Sequence, residues 1–274
     1  FDVEENLYVC VGGMGLYRVA PDGTVTLATD ETNRSWTSIN DDSRLRLADD
    51  LDIAPDGRVF FSEATIRYEM HEWAVDSLEA RGNGRIICYD PRTRTTKTVL
   101  RGLVFPNGIS MCSDGQSFLF AETWACTLNR YWFDGPKKGS REVVIGNLPG
   151  LPDNINRASD GNFWIALTGM RSPSFDLALR MPGFRRRMSR RLPPDEWMYP
   201  NINVGCVIKV TEKGEVLESL WDRDGVNHPS LTSMREHKGY LYLGGLVNNR
   251  IGRYKLHGAR PDFVQHVDYW STRA

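Results

Sequence analysis

Three stretches of this chain repeat one pattern: D-D-L-D-I-A-P-D-G, N-G-I-S-M-C-S-D-G and D-N-I-N-R-A-S-D-G. In each, an oxygen-bearing side chain stands eight residues before a turn glycine: Asp49 before Gly57, Asn107 before Gly115, Asp153 before Gly161. The residues between read as a short strand, and Asp-Gly after an apolar run is a strong local signal for a β-hairpin. A polar residue at a fixed phase of a repeated strand limits the fold severely. If the repeats circle an axis, the three side chains converge at one point, which is how a repeat architecture builds a binding site.

The repeating unit is a strand, an Asp-Gly hairpin, an aromatic-rich strand, a third strand, a second tight turn and a fourth strand. It is most compact at 105–147, with strands expected over 109–112, 118–121, 127–133 and 141–145 and turns at Asp114-Gly115, Asp134-Gly135 and Gly139. Residues 1–29 carry it over 7–11, 16–19 and 24–28, and it recurs at 49–100, 152–221 and 230–257. Five units of four strands, at a period near the ~40–45 residues of a propeller blade, predict an all-β β-propeller rather than a sandwich. The whole chain, 1–274, is expected to form one propeller domain. Aligning Glu5 with Gly57 puts the oxygen-bearing position of the first unit upstream of Phe1, so that unit is expected to be incomplete.

Two insertions break the rhythm. Residues 65–83 have helix-forming composition and end near Gly82, and residues 170–203 contain P-G-F-R-R-R-M-S-R-R-L-P-P. Both follow the second strand of their unit. Both are therefore expected on the face that bears Asp49, Asn107 and Asp153, as lids over a pocket, the alternative being plain surface elaboration. Arg180, Arg185, Arg186, Arg187, Arg190 and Arg191 cluster in the second insertion. They read as a solvated helix face, or as a surface for an anionic substrate or a membrane.

Balanced charge, 34 basic against 35 acidic residues, gives no global field for nucleic acid or membrane. No apolar run approaches the ~20 residues of a membrane span. The start, F-D-V-E-E-N-L-Y, does not read as a signal peptide. Cys10, Cys88, Cys112, Cys126 and Cys206 lack metal-type spacing and point to reduced thiols in a reducing, cytoplasmic-type compartment. The chain contains no G-x-S-x-G, H-E-x-x-H, P-loop or dinucleotide fingerprint. Serine-hydrolase, zincin and nucleotide readings are thereby set aside.

Asp49, Asn107 and Asp153 offer hard oxygen donors, which suit Ca²⁺ or Mg²⁺ better than zinc. Asp50 and Asn154, next in sequence, are candidates to complete the shell. Leu231 holds the matching position of the last unit, so no ligand is expected there. Glu63 and Glu122 end second strands, where each serves either as an acid/base or as a cap for backbone. His228, before Pro229, is a candidate acid/base reaching the same face.

Taken together, F-P-N-G-I-S-x-x-x-D-G, L-P-G-L-P-D-N-I-N-R-A-S-D-G-N-F-W-I-A, L-E-A-R-G-N-G-R-I-I-C-Y-D-P and R-E-H-K-G-Y-L-Y-L-G resemble the strictosidine synthase-like branch of a propeller superfamily. That superfamily also holds the gluconolactonase group, the paraoxonases and diisopropylfluorophosphatase. The resemblance implies a six-bladed propeller with a central tunnel, the sixth blade missing or incomplete in this chain. In metal-dependent relatives, Asn or Asp at the starts of first strands hold Ca²⁺ together with a first-blade Glu, which here would lie upstream of Phe1. Asn107 matches the P-N-G asparagine, Asp153 and Asn154 match the D-N pair, and Asp49 falls where those relatives carry Asn. Strictosidine synthases use a last-blade Glu, and N-H-P-S-L-T-S contains none, which argues against amine–aldehyde condensation.

The expectation is a divalent-metal-dependent hydrolase of a lactone or other ester, a small-molecule enzyme with its site at the top of the tunnel. Ca²⁺ (or Mg²⁺) would be held by Asp49, Asn107, Asp153 and Asn154, with Asp153 activating water or attacking directly and His228 as a second catalytic candidate. The alternatives are a metal-free strictosidine synthase-like lyase or condensing enzyme, and a non-catalytic ligand-binding propeller.

Overall fold

The computed structural model describes residues 1–36, 41–198, 202–265 and 268. Its Asp-Gly turns form as the sequence demands. Gly57, Gly115 and Gly161 have φ of 88°, 64° and 83°, a region open chiefly to glycine. Beside each, the Asp carboxylate accepts a backbone N–H two residues on: Arg58 N to Asp56 at 3.1 Å, Gln116 N to Asp114 at 2.9 Å, Asn162 N to Asp160 at 3.1 Å. The same short-range chemistry thus closes three hairpins.

Five antiparallel sheets result, the five blades of an all-β propeller. The first holds β1 (Leu7–Val11), β2 (Gly15–Val19) and β3 (Val25–Thr29). The second holds β4 (Ala48–Ile53), β5 (Val59–Glu63), β6 (Gly84–Asp90) and β7 (Thr95–Leu103). The third holds β8 (Pro106–Met111), β9 (Ser117–Glu122), β10 (Thr127–Trp132) and β11 (Arg141–Ile145). The fourth holds β12 (Gly150–Arg157), β13 (Phe163–Met170), β14 (Gly205–Val210) and β15 (Val216–Asp222). The last holds β16 (Leu231–His237), β17 (Tyr240–Gly245) and β18 (Gly252–Lys255).

The strands β4, β8, β12 and β16 lie side by side at the hub. β1 packs beside β4 as β5 packs beside β8, so the first sheet occupies second-to-fourth-strand positions, in line with the alignment of Glu5 on Gly57. Among the described residues the last sheet has three strands rather than the expected four. After β18 the chain turns at Gly258 (φ 77°) and returns to bridge Val264 with His237, away from the outer edge of β18.

Apolar layers between blades hold the ring. Phe60 of β5 meets Phe118 of β9 and Phe133 with ring centroids 5.3 and 4.5 Å apart. Tyr8 and Leu16 of the first blade pack with Ile53, Phe61 and Ile87 of the second. Each fully buried Phe contributes roughly 2–3 kcal/mol by area removed from water. Hydrogen bonds lace the same seams: Met111 N donates to Asp52 at 2.7 Å and Thr96 Oγ1 to Thr29 Oγ1 at 2.7 Å.

Between β5 and β6 lie a 3-10 turn, Met70–Glu72, and α1 (Trp73–Glu79). Between β13 and β14 lie α2 (Pro173–Arg180), α3 (Pro182–Met188) and α4 (Pro194–Met198). The two groups touch. Arg185 Nε donates to Leu78 O at 2.8 Å, and its Nη1 donates to Ala178 O at 2.6 Å and Leu179 O at 2.7 Å. One guanidinium therefore caps the C-terminal carbonyls of both α1 and α2.

Candidate functional site

Three of the four inner strands carry the same irregularity at the same place. The ladder slips between Ala48 and Leu51 in β4, between Pro106 and Ile109 in β8, and between Pro152 and Ile155 in β12. Three residues advance on the inner strand for every two on its partner, which is a β-bulge. Each bulge holds a pair: Asp49-Asp50, Asn107-Gly108, Asp153-Asn154. β16 slips too, between Leu231 and Ser233, and puts Thr232 in its bulge.

The first member of each pair faces one cavity of about 310 Å³ at the hub, lined by Asp49, Asn107, Asp153, Asn154 and Thr232 among others. The second member reaches sideways. Asp50 Oδ2 accepts Ile109 N from the third blade at 3.1 Å, and Asn154 Nδ2 donates to Thr232 O of the last blade at 2.8 Å. Gly108 takes this place in the third blade because a Cβ there would stand 2.4 Å from Asp153 O and 2.5 Å from Ile155 N.

The sequence-chosen residues therefore divide. Asp49, Asn107, Asp153 and Asn154 come together. Asp50 instead lines a second cavity of about 320 Å³ further along the hub, with Asp52 and Arg157. Leu231 lies in the apolar seam between the fourth and last blades, and the last blade contributes Thr232, one position on.

His228 is not brought to the site cavity. Its buried ring pairs through Nε2 with Leu243 O at 2.9 Å, and its backbone N donates to Asp222 at 2.6 Å. Glu63 and Glu122 serve backbone, as the capping alternative anticipates. Glu63 accepts Arg46 N at 2.6 Å and pairs with Arg85, and Glu122 accepts Val104 N at 2.7 Å and pairs with Arg141.

Electrostatics at the cavity are unusual. Burial pushes the Asp49 carboxyl up to about 7. It pushes Asp153 well above the ordinary carboxylate range, helped by the charges of Asp49 and Asp50 and opposed by hydrogen bonds from Asn154 N and the Asn107 amide. Asn107 is 4% exposed, and its Oδ1 is buried without a hydrogen-bond partner. A buried amide oxygen left unmade costs about 1–3 kcal/mol.

Two crowded carboxylates and an orphaned carbonyl oxygen fit a hard cation, which satisfies all three. Among the described residues no three His, Cys, Asp or Glu side chains group as a metal site, so the amide oxygens are needed beside the two carboxylates. The remaining walls are apolar: Leu47, Phe105, Trp124 and Leu151 from the blades, Met70 and Trp73 from the first insertion, and Ile202 from the second. Trp73 stacks on Trp124 at 6.0 Å, which fixes α1 over the rim. Cys10 also lines the cavity, a contributor that its apolar surroundings in sequence did not single out.

A hub cavity ringed by bulged inner strands defines the class, a β-propeller with a polar central site. The comparisons with known proteins agree. The strictosidine synthase family model matches residues 49–136. The chain is similar to protein strictosidine synthase-like 13 of Arabidopsis thaliana, 36% identical over 225 residues, which make up 80% of this chain and 53% of that protein. It is also similar to adipocyte plasma membrane-associated protein of Salmo salar, 32% identical over 87% of this chain and 58% of that one. A gluconolactonase of Xanthomonas campestris shares the fold, with a TM-score of 0.54 at 15% identity over 89% of this chain and 67% of that one. The chain is thus similar in sequence to strictosidine synthase-like proteins, and shares its β-propeller fold with gluconolactonases. It spans little more than half the length of the two curated relatives described, 53% and 58%.

Proposed function

We propose that the hub cavity is the active site of a divalent-cation-dependent hydrolase of a lactone or other ester. The observation that carries this reading is the buried, unpartnered Asn107 Oδ1 beside two carboxylates that burial holds toward protonation. Asp49, Asn107, Asp153 and the Asn154 amide are the residues that would hold Ca²⁺, or another hard ion such as Mg²⁺. When bound, the ion supplies Lewis acidity toward an ester carbonyl and the charge developing on its oxygen.

The chain's own residues supply the rest. Asp153, held by Asn154 N and the Asn107 amide, is placed to take the proton of an attacking water. Asp49 supplies the second carboxylate of the cavity wall. The Trp73–Trp124 stack and Phe105 give the cavity an apolar wall, which strengthens the polar contacts beside it. With Glu63, Glu122 and His228 engaged elsewhere, the metal-free lyase reading has no acid/base of theirs at the cavity. The same reading takes the five blades as part of the six-bladed ring that the family resemblance implies.

Elemental analysis of protein purified in Ca²⁺, paired with a panel of alkyl and aryl lactones and esters, tests the proposal. Stoichiometric calcium, and turnover abolished by chelator and restored by Ca²⁺, are expected. Hydrolysis indifferent to chelation refutes it, as does a protein that binds no divalent ion.

A further inference from the structure

We propose that the outer surface of the second insertion, from α2 through α3 to Leu192, docks on an anionic lipid surface. Residues 177–192, L-A-L-R-M-P-G-F-R-R-R-M-S-R-R-L, hold six arginines and no Asp or Glu. Arg185 is spent inward on the carbonyls of α1 and α2. Arg180, Arg186, Arg187, Arg190 and Arg191 are exposed, and none of them forms an ion pair among the described residues.

Apolar side chains stand among them. Leu177 is 46% exposed, Met181 45% and Leu192 37%. These are not residues awaiting the core, because the opposite side of the same helices already supplies it. Phe175 and Ala178 are buried, and Leu179, Phe184 and Met188 pack against the same cluster. The hairpin is therefore anchored by one face and presents cations mixed with large apolar groups on the other.

That mixture fits a bilayer interface. Arginines sit at headgroup level while Leu and Met enter the acyl boundary. A nucleic-acid surface would use the arginines and gain nothing from exposed leucine and methionine. The chain as a whole is nearly neutral, 34 basic against 35 acidic residues, so the attraction belongs to this patch. No helix among the described residues is long and apolar enough to cross a membrane, so the contact is peripheral. It orients the protein with the lidded rim toward lipid, because the same insertion supplies Ile202 to the cavity wall. The proposal stands whether or not the cavity is catalytic.

Co-sedimentation of the whole chain with phosphatidylserine-rich and pure phosphatidylcholine vesicles tests it. Binding to the anionic vesicles alone, released by salt, is expected. Each arginine contributes roughly a fivefold factor near such a surface, so R186Q/R187Q/R190Q should weaken binding about 100-fold. L177S/M181S should weaken binding even in low salt. K137Q/K138Q, charge removals on the third blade, should change nothing. All these side chains are exposed, and an unchanged melting temperature confirms that each variant folds. Equal binding to both vesicle types overturns the proposal, as does a triple variant that binds like the parent. Retention by polyglutamate or duplex RNA in preference to anionic vesicles also overturns it, assigning the patch to a macromolecular polyanion.

Discussion

Replacing Asp49 by Asn should stabilise the cation-free protein, and by an amount that depends on pH. The Asp49 carboxyl rises from 3.8 to about 7 on folding, through burial alone. At 1.36 kcal/mol per pH unit, holding it ionised costs the native state about 4 kcal/mol. Part of its surface opens on the cavity, where water enters, so this is an upper value. Because the folded value is raised, the stability is fully present below pH 3.8 and is lost as the pH climbs through about 7. Asp49→Asn removes that loss. In chelator the variant should match the parent near pH 4 and melt up to about 8 °C higher at pH 8, at roughly 2 °C per kcal/mol for a chain of this size. Added Ca²⁺ should close most of that gap, because a ligand at 100 times its Kd stabilises the parent by about 2.7 kcal/mol and the variant hardly at all. Differential scanning fluorimetry across pH, with chelator and with Ca²⁺, reads both effects. An advantage for Asp49→Asn that is equal at pH 4 and pH 8 would refute the burial argument. A parent that Ca²⁺ fails to stabilise would refute the ligand assignment.

Binding of Ca²⁺ near pH 6.5 should release protons, since Asp49 and Asp153 hold them in its absence. Titration calorimetry in buffers of different ionisation enthalpy measures the number, and zero release would exclude both carboxylates as ligands. Gly108→Ala should cost about 3 kcal/mol in urea unfolding, because its Cβ would strike backbone atoms of the next blade at 2.4 and 2.5 Å. A neutral result would mean that the two inner strands separate easily. Arg185→Gln should speed amide exchange in α1 and α2 and leave the sheets unaffected, losing about 2 kcal/mol of charge-assisted bonding to helix-end carbonyls. Faster exchange throughout the blades would show instead that the insertions support the ring.

What was legible in the sequence came from short-range rules. An Asp-Gly turn states its own backbone angle and its own capping bond, so the hairpins at Gly57, Gly115 and Gly161 could be placed and the strands counted from them. The convergence of Asp49, Asn107, Asp153 and Asn154 followed from that count. What failed depends on long-range geometry. Counting back from Gly239 gave Leu231, but the slip in β16 falls one residue later and presents Thr232. His228 stands near the start of the last unit, yet the Leu243 carbonyl holds its ring within that blade. Nothing in R-R-R distinguishes Arg185 from its neighbours. Only the packing of α1 against the second insertion brings two helix ends within its reach.

The bulges explain why the motif is a pair of residues and not a single ligand. An unbulged strand would send successive side chains to opposite faces of the blade, giving the hub one residue in two. The extra residue frees two consecutive positions from the ladder. The first then faces the cavity, and the second turns to the neighbouring blade, as Asp50 does to Ile109 N and Asn154 to Thr232 O. Chemistry and ring closure are thereby carried by adjacent positions, with Asn154 alone of the second members serving both. Substitutions at 49, 107 or 153 should change what the cavity binds at little cost to the ring. Substitutions at 50 or 108 should loosen the contact between blades first, and reach the cavity only through the strands they displace, whereas a substitution at 154 should affect both at once.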